Sequence, residues 1–574
     1  MAERKEGVCF LEQEKTRQMV NSVPLPATAT KSIKVVLLDL PPEVLIHIFL
    51  HLPFTSVVIC QGINRHLQAL ISESAKLQYY VYLGIFGLVD NPQCSLPVSE
   101  RLDRLFARER RWEDLDFDFD KIIDVPAVAR HKRCGVSARL FSILYQDAVH
   151  LEIQIPSEAV QGVRWKRTFP ERTLINGAKR VYDHDLCIII TAQPRTTATN
   201  AADPHVTHEV QVHLNQSSTG KPHPDAQRVI SFEIHEQFEE IWASVECVGN
   251  NLVLVIRDRV ETHKPDNQVY VYEWKTGELK LRLSAPFGSY LYPLFLTMRI
   301  FVLPNATTGE LEYWRIPQHA PEPTSEQPFL VLSLPRLSFD KAFDWIACRA
   351  EPGPTNEPQG TSKPFGADPH HAIVIFDVVI RPADRSQNTT KFAFFVHRSS
   401  LVRCMDIFSA PISSGERLKP VPYDAWGPPV CRWFNESVDG YLIRRIAGAF
   451  GQRYIASATN TMAPLLLLNF NQVDVAKVLV AKKRTSQAET QCKGDQNAGQ
   501  DEGRGYFEGK LLEGNGEWEA REERKVKEAV PQTHGISTPE VSFSSSAKKL
   551  EIDSSLTSQP RAKAITRALD PLND

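Results

Sequence analysis

Hydrophobic and polar positions change rhythm twice along this chain. Between residues 38 and 70 apolar side chains recur at helical spacing in three short bursts, first Val44, Leu45, Ile48, Phe49 and Leu52, then Val57, Val58 and Ile59, then Leu67 and Leu70. Pro42 suits a first helical turn, Glu43 sits against the positive end of the dipole, and Asp39 is placed to cap. Pro53 ends the first burst, and Thr55 and Asn64 are candidate caps for the second and third helices. Helices this short bury little surface alone and need a partner or a neighbouring core. From pattern alone, a cap packed on the rest of the chain and a docking module fit equally. Further helices are expected over 75–84 and 98–112. In the latter Leu102, Leu105, Phe106 and Trp112 share a face, while Arg101, Arg104, Arg108, Arg110 and Arg111 are expected on solvated faces. That helix should join the first three rigidly to the remainder of the chain.

At Leu115 the period drops to two, with Asp116, Asp118 and Asp120 alternating with Leu115, Phe117 and Phe119. Three carboxylates on one face could attract a cation, but no glycine-bearing loop brings further oxygen ligands, so an edge strand is expected. Short β-like runs follow at 140–144, 149–155, 186–192, 209–214, 229–234, 252–256, 269–274, 300–303, 311–316, 329–332, 372–380, 392–397, 441–446 and 465–470. Turns such as Gly249-Asn250-Asn251 and Lys275-Thr276-Gly277 separate them. No long amphipathic helix is expected among them, which argues against alternating β-α units and for an all-β domain.

A strand ending at Trp274 is echoed by one ending at Trp314, a spacing of forty residues, with Trp242 and Trp345 at shorter intervals. Forty residues is the length of a four-stranded propeller blade. The expected architecture is a degenerate β-propeller of six or seven blades, with 269–279 as inner strands; other stacked β arrangements are the alternative. Two stretches, 196–224 and 351–369, read as insertions between strands. Residues 1–32 are polar and aperiodic, and beyond 482 large apolar side chains are few, so both ends are expected to be disordered.

Composition narrows the class of partner. A net charge of -3 gives no chain-wide attraction to nucleic acid or anionic membrane. The ten cysteines are scattered with no C-x-x-C, as in a reducing compartment. No apolar stretch has signal-peptide or membrane-spanning length, so the protein is expected inside the cell, cytoplasmic, nuclear or both.

Catalytic chemistry finds little support. There is no P-loop, dinucleotide-binding glycine pattern, G-x-S-x-G or zincin motif. His205-x-x-His208 with His213 has metal-like spacing but lies in a Pro- and Thr-rich segment, and reads as exposed histidines. Trp426, Trp433 and Phe434 around Gly427-Pro428-Pro429 read as turn packing rather than a recognition surface. No catalytic residue, cofactor or metal is expected.

The order of residues in the first helix carries a family resemblance. Leu40-Pro41-x-Glu43-Val44-x-x-x-Ile48-Phe49-x-His51-Leu52-Pro53 resembles the opening of an F-box. Val57-Val58 stands for the family's Leu-Leu, Ile63-Asn64-Arg65 for its Val-x-Arg, and the tryptophan that usually comes next is missing. Residues 77–102 resemble the helical continuation in many fungal F-box proteins. The resemblance implies docking on a Skp-type adaptor, and through it on a cullin, with Leu40, Pro41, Glu43, Val44, Ile48, Phe49 and Leu52 either touching the adaptor or holding the contact helices together. It implies a substrate receptor of an SCF-type ubiquitin ligase, a non-catalytic subunit whose protein substrate is unknown. A scaffold that binds the adaptor outside a ligase is the alternative, and a propeller-type enzyme or ligand binder a more remote one. The expected fold class is multidomain, α plus all-β: leader 1–32, F-box 36–75, helical linker 76–113, propeller-like domain 114–481, tail 482–574.

Overall fold

The computed structural model describes residues 37–114, 120–124, 131–137, 140–145, 150–154, 174–196, 206–234, 238–260, 263–318, 327–355, 363–384, 389–409, 418–435, 441–442, 449–458, 466–475, 546–549 and 563–567. Its N-terminal module has five helices, α1 (Pro42–Leu50), α2 (Phe54–Gln61), α3 (Arg65–Glu73), α4 (Ala75–Phe86) and α5 (Val98–Asp114). Pro41 and Pro53 precede α1 and α2 with no side-chain cap. Asp39 lies two residues before the cap position of α1, in a 3₁₀ turn (Leu37–Asp39), and Thr55 two residues after the cap position of α2, inside the helix, so neither caps. Asn64 does cap: its Oδ1 accepts from Leu67 N at 2.8 Å, and Ser74 caps α4 in the same way. Leu45, Phe49, Val57, Leu67, Leu77 and Val81 close a small core between α1 and α4.

The β region is a series of antiparallel sheets that succeed one another in chain order. After β1 (Leu88–Asp90) and β2 (Asp120–Asp124) comes a three-stranded sheet, β3 (His131–Ser137), β4 (Leu140–Tyr145) and β5 (His150–Gln154). The second sheet is β6 (Leu174–Val181), β7 (Leu186–Thr196), β8 (Val206–Gln216) and β9 (Ile230–Ile234). The third is β10 (Ile241–Val248), β11 (Asn251–Asp258), β12 (Asn267–Glu273) and β13 (Glu278–Ala285). The fourth is β14 (Leu294–Thr297), β15 (Ile300–Asn305), β16 (Glu310–Arg315) and β17 (Leu330–Ser333). In the fifth, β18 (Lys341–Ala350) pairs with β20 (Ile373–Pro382), then β21 (Thr390–His397) and β22 (Arg432–Asn435), because β19 (Phe365–Ala367) leaves to pair with β1. The last sheet holds β23 (Tyr441–Leu442), β24 (Ala449–Phe450), β25 (Arg453–Ala458) and β26 (Leu466–Asn469). The tail expected after 482 lies outside the described residues except for β27 (Ser546–Lys549), beside β26, and β28 (Lys563–Arg567), beside β2.

Their stacking makes the sheets propeller-like blades. The first strands lie side by side, β6 against β10, β10 against β14 and β14 against β18. One apolar core fills each gap: Ile188, Val212 and Leu254 between the second and third sheets, Val253, Val271 and Phe301 between the third and fourth, Val302, Phe376 and Phe394 between the fourth and fifth, and Phe395, Tyr454 and Leu468 between the fifth and sixth. The chain also curls back on itself, since Thr355, just past β18, donates to Asp183, just past β6, at 2.8 Å. First strands are therefore innermost.

Several expectations are corrected. Residues 269–279 form the third and fourth strands of their sheet, its outer pair, with Trp274 and Trp314 at the ends of corresponding third strands. A helix does interrupt the β run: α6 (Arg398–Phe408), with α7 (Tyr423–Trp426) after it, lies between β21 and β22 and buries Leu401, Cys404 and Met405. Of the two insertions, 196–224 contains strand β8 and 351–369 contains β19. The alternating stretch 115–119 lies outside the described residues.

Candidate functional site

Two features of the helical module bear on function: its free face and its attachment. On the free face Pro41, Glu43 and Val44 are exposed, whereas Leu40, Ile48 and Leu52 are half-buried. Phe49, at 2% exposure, is sealed in the helical core. Leu37, Leu38, Val58, Ile59 and Ile63 are exposed as well, and with Val44 these six are between 40% and 68% exposed. Among the described residues eleven large hydrophobics are exposed, and these six fall within twenty-seven residues, too concentrated to be the usual scatter of single surface hydrophobics. Of the apolar burst Val57, Val58 and Ile59, α2 buries only Val57.

The attachment is polar and largely buried. Helix α4 ends at Gly87, whose φ of 65° is left-handed and whose missing side chain leaves room for Gln452. The chain then enters β1, which pairs with β19 from Leu88↔Ala367 to Asp90↔Phe365. Around this seam Asn91 Nδ2 donates to Lys363 O at 2.7 Å, Asn471 Nδ2 to Ile85 O at 2.7 Å, and Asp368 N to Gly87 O at 2.9 Å. The Tyr79 hydroxyl donates to Asp90 Oδ1 at 2.8 Å, and burial together with that carboxylate pushes its pKa far up. Arg101 pairs with Asp90 at 2.9 Å and donates to Leu96 O at 2.8 Å.

Further along α5, Glu109, 4% exposed, pairs with both Arg108 and Arg453, and the Arg453 guanidinium stacks on Trp112 at 4.9 Å. Arg101 and Arg108 are thus buried ion-pair members rather than solvated charges. The helices and the last sheet meet through a charged cluster that sequence periodicity could not assign to a seam.

The other candidates separate. His208 is buried on β8 with Nε2 at 2.9 Å from Phe238 O, and His213 lies at 3.0 Å from Thr191 Oγ1. Five residues apart on one strand, they face opposite sides, and His205 is outside the described residues. Among the described residues no group of three ligating side chains could hold a metal, and no helix is long and apolar enough to cross a membrane. Trp426 is buried and donates to Ser333 O at 2.9 Å, while Trp433 stacks on Phe394 at 4.5 Å, both as packing.

One buried acid has no cationic partner at hydrogen-bond distance. Glu312 on β16, 8% exposed, accepts from Tyr290 Oη at 2.6 Å and Asn305 Nδ2 at 2.7 Å, and burial raises its pKa. A raised carboxyl favours the folded state most below its unfolded pKa, and that contribution is lost as pH rises through the folded value. Glu312→Gln should therefore raise stability at pH 7 by about 1 kcal/mol, with the advantage shrinking towards pH 4. Urea melts of both proteins across that range check it.

A family model described as F-box-like matches residues 37–83, through most of α4, and it describes a docking module rather than a catalytic one. No curated protein matches the chain. Among solved structures, the computationally designed Ika8 protein covers 62% of this chain and 88% of its own at 9% identity and a TM-score of 0.29. The C-terminal WD40 domain of Sif2 covers 59% and 95% at 9% identity and 0.27. BamB from Moraxella catarrhalis covers 61% and 89% at 8% identity and 0.28. At those scores the fold rests on the sheets themselves.

Proposed function

We propose that this chain is a substrate receptor of an SCF-type cullin-RING ubiquitin ligase. Its F-box-like segment docks on a Skp-type adaptor, and its β-domain holds a protein substrate. The observation that carries the reading is the concentration of exposed apolar side chains, Val44 and Ile59 among them, inside the matched segment. Leu40, Pro41, Glu43, Val44, Ile48 and Leu52 bear on the adaptor, joined by Leu37, Leu38, Val58, Ile59 and Ile63, while Phe49 holds α1 in place from within.

The mechanism is proximity. A substrate held by the β-domain is presented to a ubiquitin-charged partner at high effective concentration, and the bond-forming chemistry belongs to other subunits. Such a receptor works best when its two ends keep a fixed relation. The β1–β19 pairing and the Glu109–Arg453 ion pair supply that link.

Affinity capture of the intact chain from cells, beside a Leu40→Ala, Pro41→Ala variant, tests the reading. The expected result is recovery of adaptor and cullin with the intact chain and loss of both with the variant. Adaptor without cullin would replace the ligase role by a scaffold, and recovery of neither would overturn the docking assignment.

A further inference from the structure

Two strands beyond residue 482 return to the β-domain. β27 runs antiparallel to β26, and β28 runs antiparallel to β2, which residues 115–119 separate from α5. Both pairings fall on elements next to the helical seam: β26 adjoins β25, which carries Arg453, and β2 follows α5, which carries Glu109.

The two pairings differ in the residues that their registers set opposite one another. Along β26, Lys549, Lys548, Ala547 and Ser546 stand opposite Leu466, Leu467, Leu468 and Asn469, with no charge opposite a charge. Along β2, Arg567 stands opposite Asp120, Ile565 opposite Ile122 and Lys563 opposite Asp124. Alternation along a strand puts these six positions on one face of the ribbon. An acid–apolar–acid strand thus meets a base–apolar–base strand, and opposite charges at directly paired positions stabilise a ladder. Slippage by one residue is penalised in both directions: one sets Lys121 opposite Arg567, and the other sets Asp120 opposite Thr566 and Ile123 opposite Lys563. Among the described residues β2 has no hydrogen-bonded neighbour except β28, and a ribbon of two strands is marginal without such a match. The occupant of the β2 edge is therefore selected by its charge pattern.

We infer that β2 is a docking edge for an extended segment of pattern base-x-apolar-x-base, and that Lys563–Arg567 of the same chain is its resident occupant. Recognition is by strand addition: main-chain hydrogen bonds hold the segment, and the acids at positions 120 and 124 choose it. Thirteen residues, 550–562, separate β27 from β28, so pairing of β27 with β26 keeps β28 near β2 at a high effective concentration. A partner segment of the same pattern must displace β28, which makes this part of the tail a competitive guard beside the last helix of the docking module. The inference goes beyond the proposed function and does not depend on the adaptor.

Disulfide trapping in the intact chain tests this. Directly opposed Cα atoms of an antiparallel ladder lie about 4.5–5.5 Å apart, within disulfide reach. Ile122→Cys with Ile565→Cys should cross-link on oxidation, as mapped by peptide mass. Ile123→Cys with Ile565→Cys, on opposite faces, should link at least about tenfold more slowly. Asp120→Lys with Asp124→Lys should slow the first link severalfold, and adding Lys563→Glu with Arg567→Glu should restore it. A blocked Lys-Ala-Ile-Thr-Arg peptide in large excess should slow it as well, and Glu-Ala-Ile-Thr-Glu should not. Equal rates for the two cysteine pairs, or no response to charge reversal, would overturn the register. Failure of the basic peptide to compete would overturn the docking edge, and links formed only between copies would overturn occupancy by the same chain. Adaptor capture by the same variants reports separately on the proposed function.

Discussion

Glu109→Ala should destabilise the protein by about 3–5 kcal/mol, a large share of a typical folding free energy. The change removes one carboxylate from between two arginines, Arg108 and Arg453, in a site where all three groups are buried. The cost comes mainly from charges stranded without their counter-ion in a poorly solvated place, and only secondarily from lost attraction. Replacing the partner as well should recover part of the loss, so Glu109→Ala with Arg453→Met is expected to be more stable than Glu109→Ala alone. Urea melts of the four proteins form the cycle. Equal stability of parent and Glu109→Ala would mean that the seam does not bind the helices to the β-domain.

The second large effect is on binding and leaves the fold alone. Val44→Asp with Ile59→Asp should reduce affinity for a Skp-type adaptor by roughly a hundredfold or more, since apolar anchors at the centre of an interface each carry about 2 kcal/mol. Both side chains are already exposed in the free chain, so the melting temperature should move by little, on the order of 0.5 kcal/mol in stability. Phe49→Ala is the contrasting case. It empties a core position and is expected to lose adaptor binding through unfolding of the helical module, at a cost of about 3–5 kcal/mol. Loss of binding with retained stability in the first variant, and loss of both in the second, separates contact from support.

The sequence made the helices legible where their punctuation was strong. Pro42, Asn64 and the apolar bursts placed α1 to α3, but spacing could not say that Ile59 and Ile63 stay outside, because a docking face and a core face share one period. In the β-domain the second and third strands stand out as runs of Val, Ile, Leu and Phe, being covered on both sides by neighbouring sheets. The first strands, β6, β10, β14 and β18, were not recognised, and most of them carry small or charged residues where their neighbours crowd the axis. A side chain at Gly177 would lie 2.6 Å from Ala243 O, and Lys179, Glu246 and Arg349 are charged. The forty-residue echo of Trp274 and Trp314 was real but marked outer rather than inner strands.

The most direct test of adaptor docking is backbone hydrogen exchange of the intact chain with and without a purified Skp-type adaptor. Docking through the exposed face predicts slowed exchange in residues 37–63, with the β-domain unchanged. Protection confined to the β-domain, or none anywhere with adaptor in excess, would contradict it.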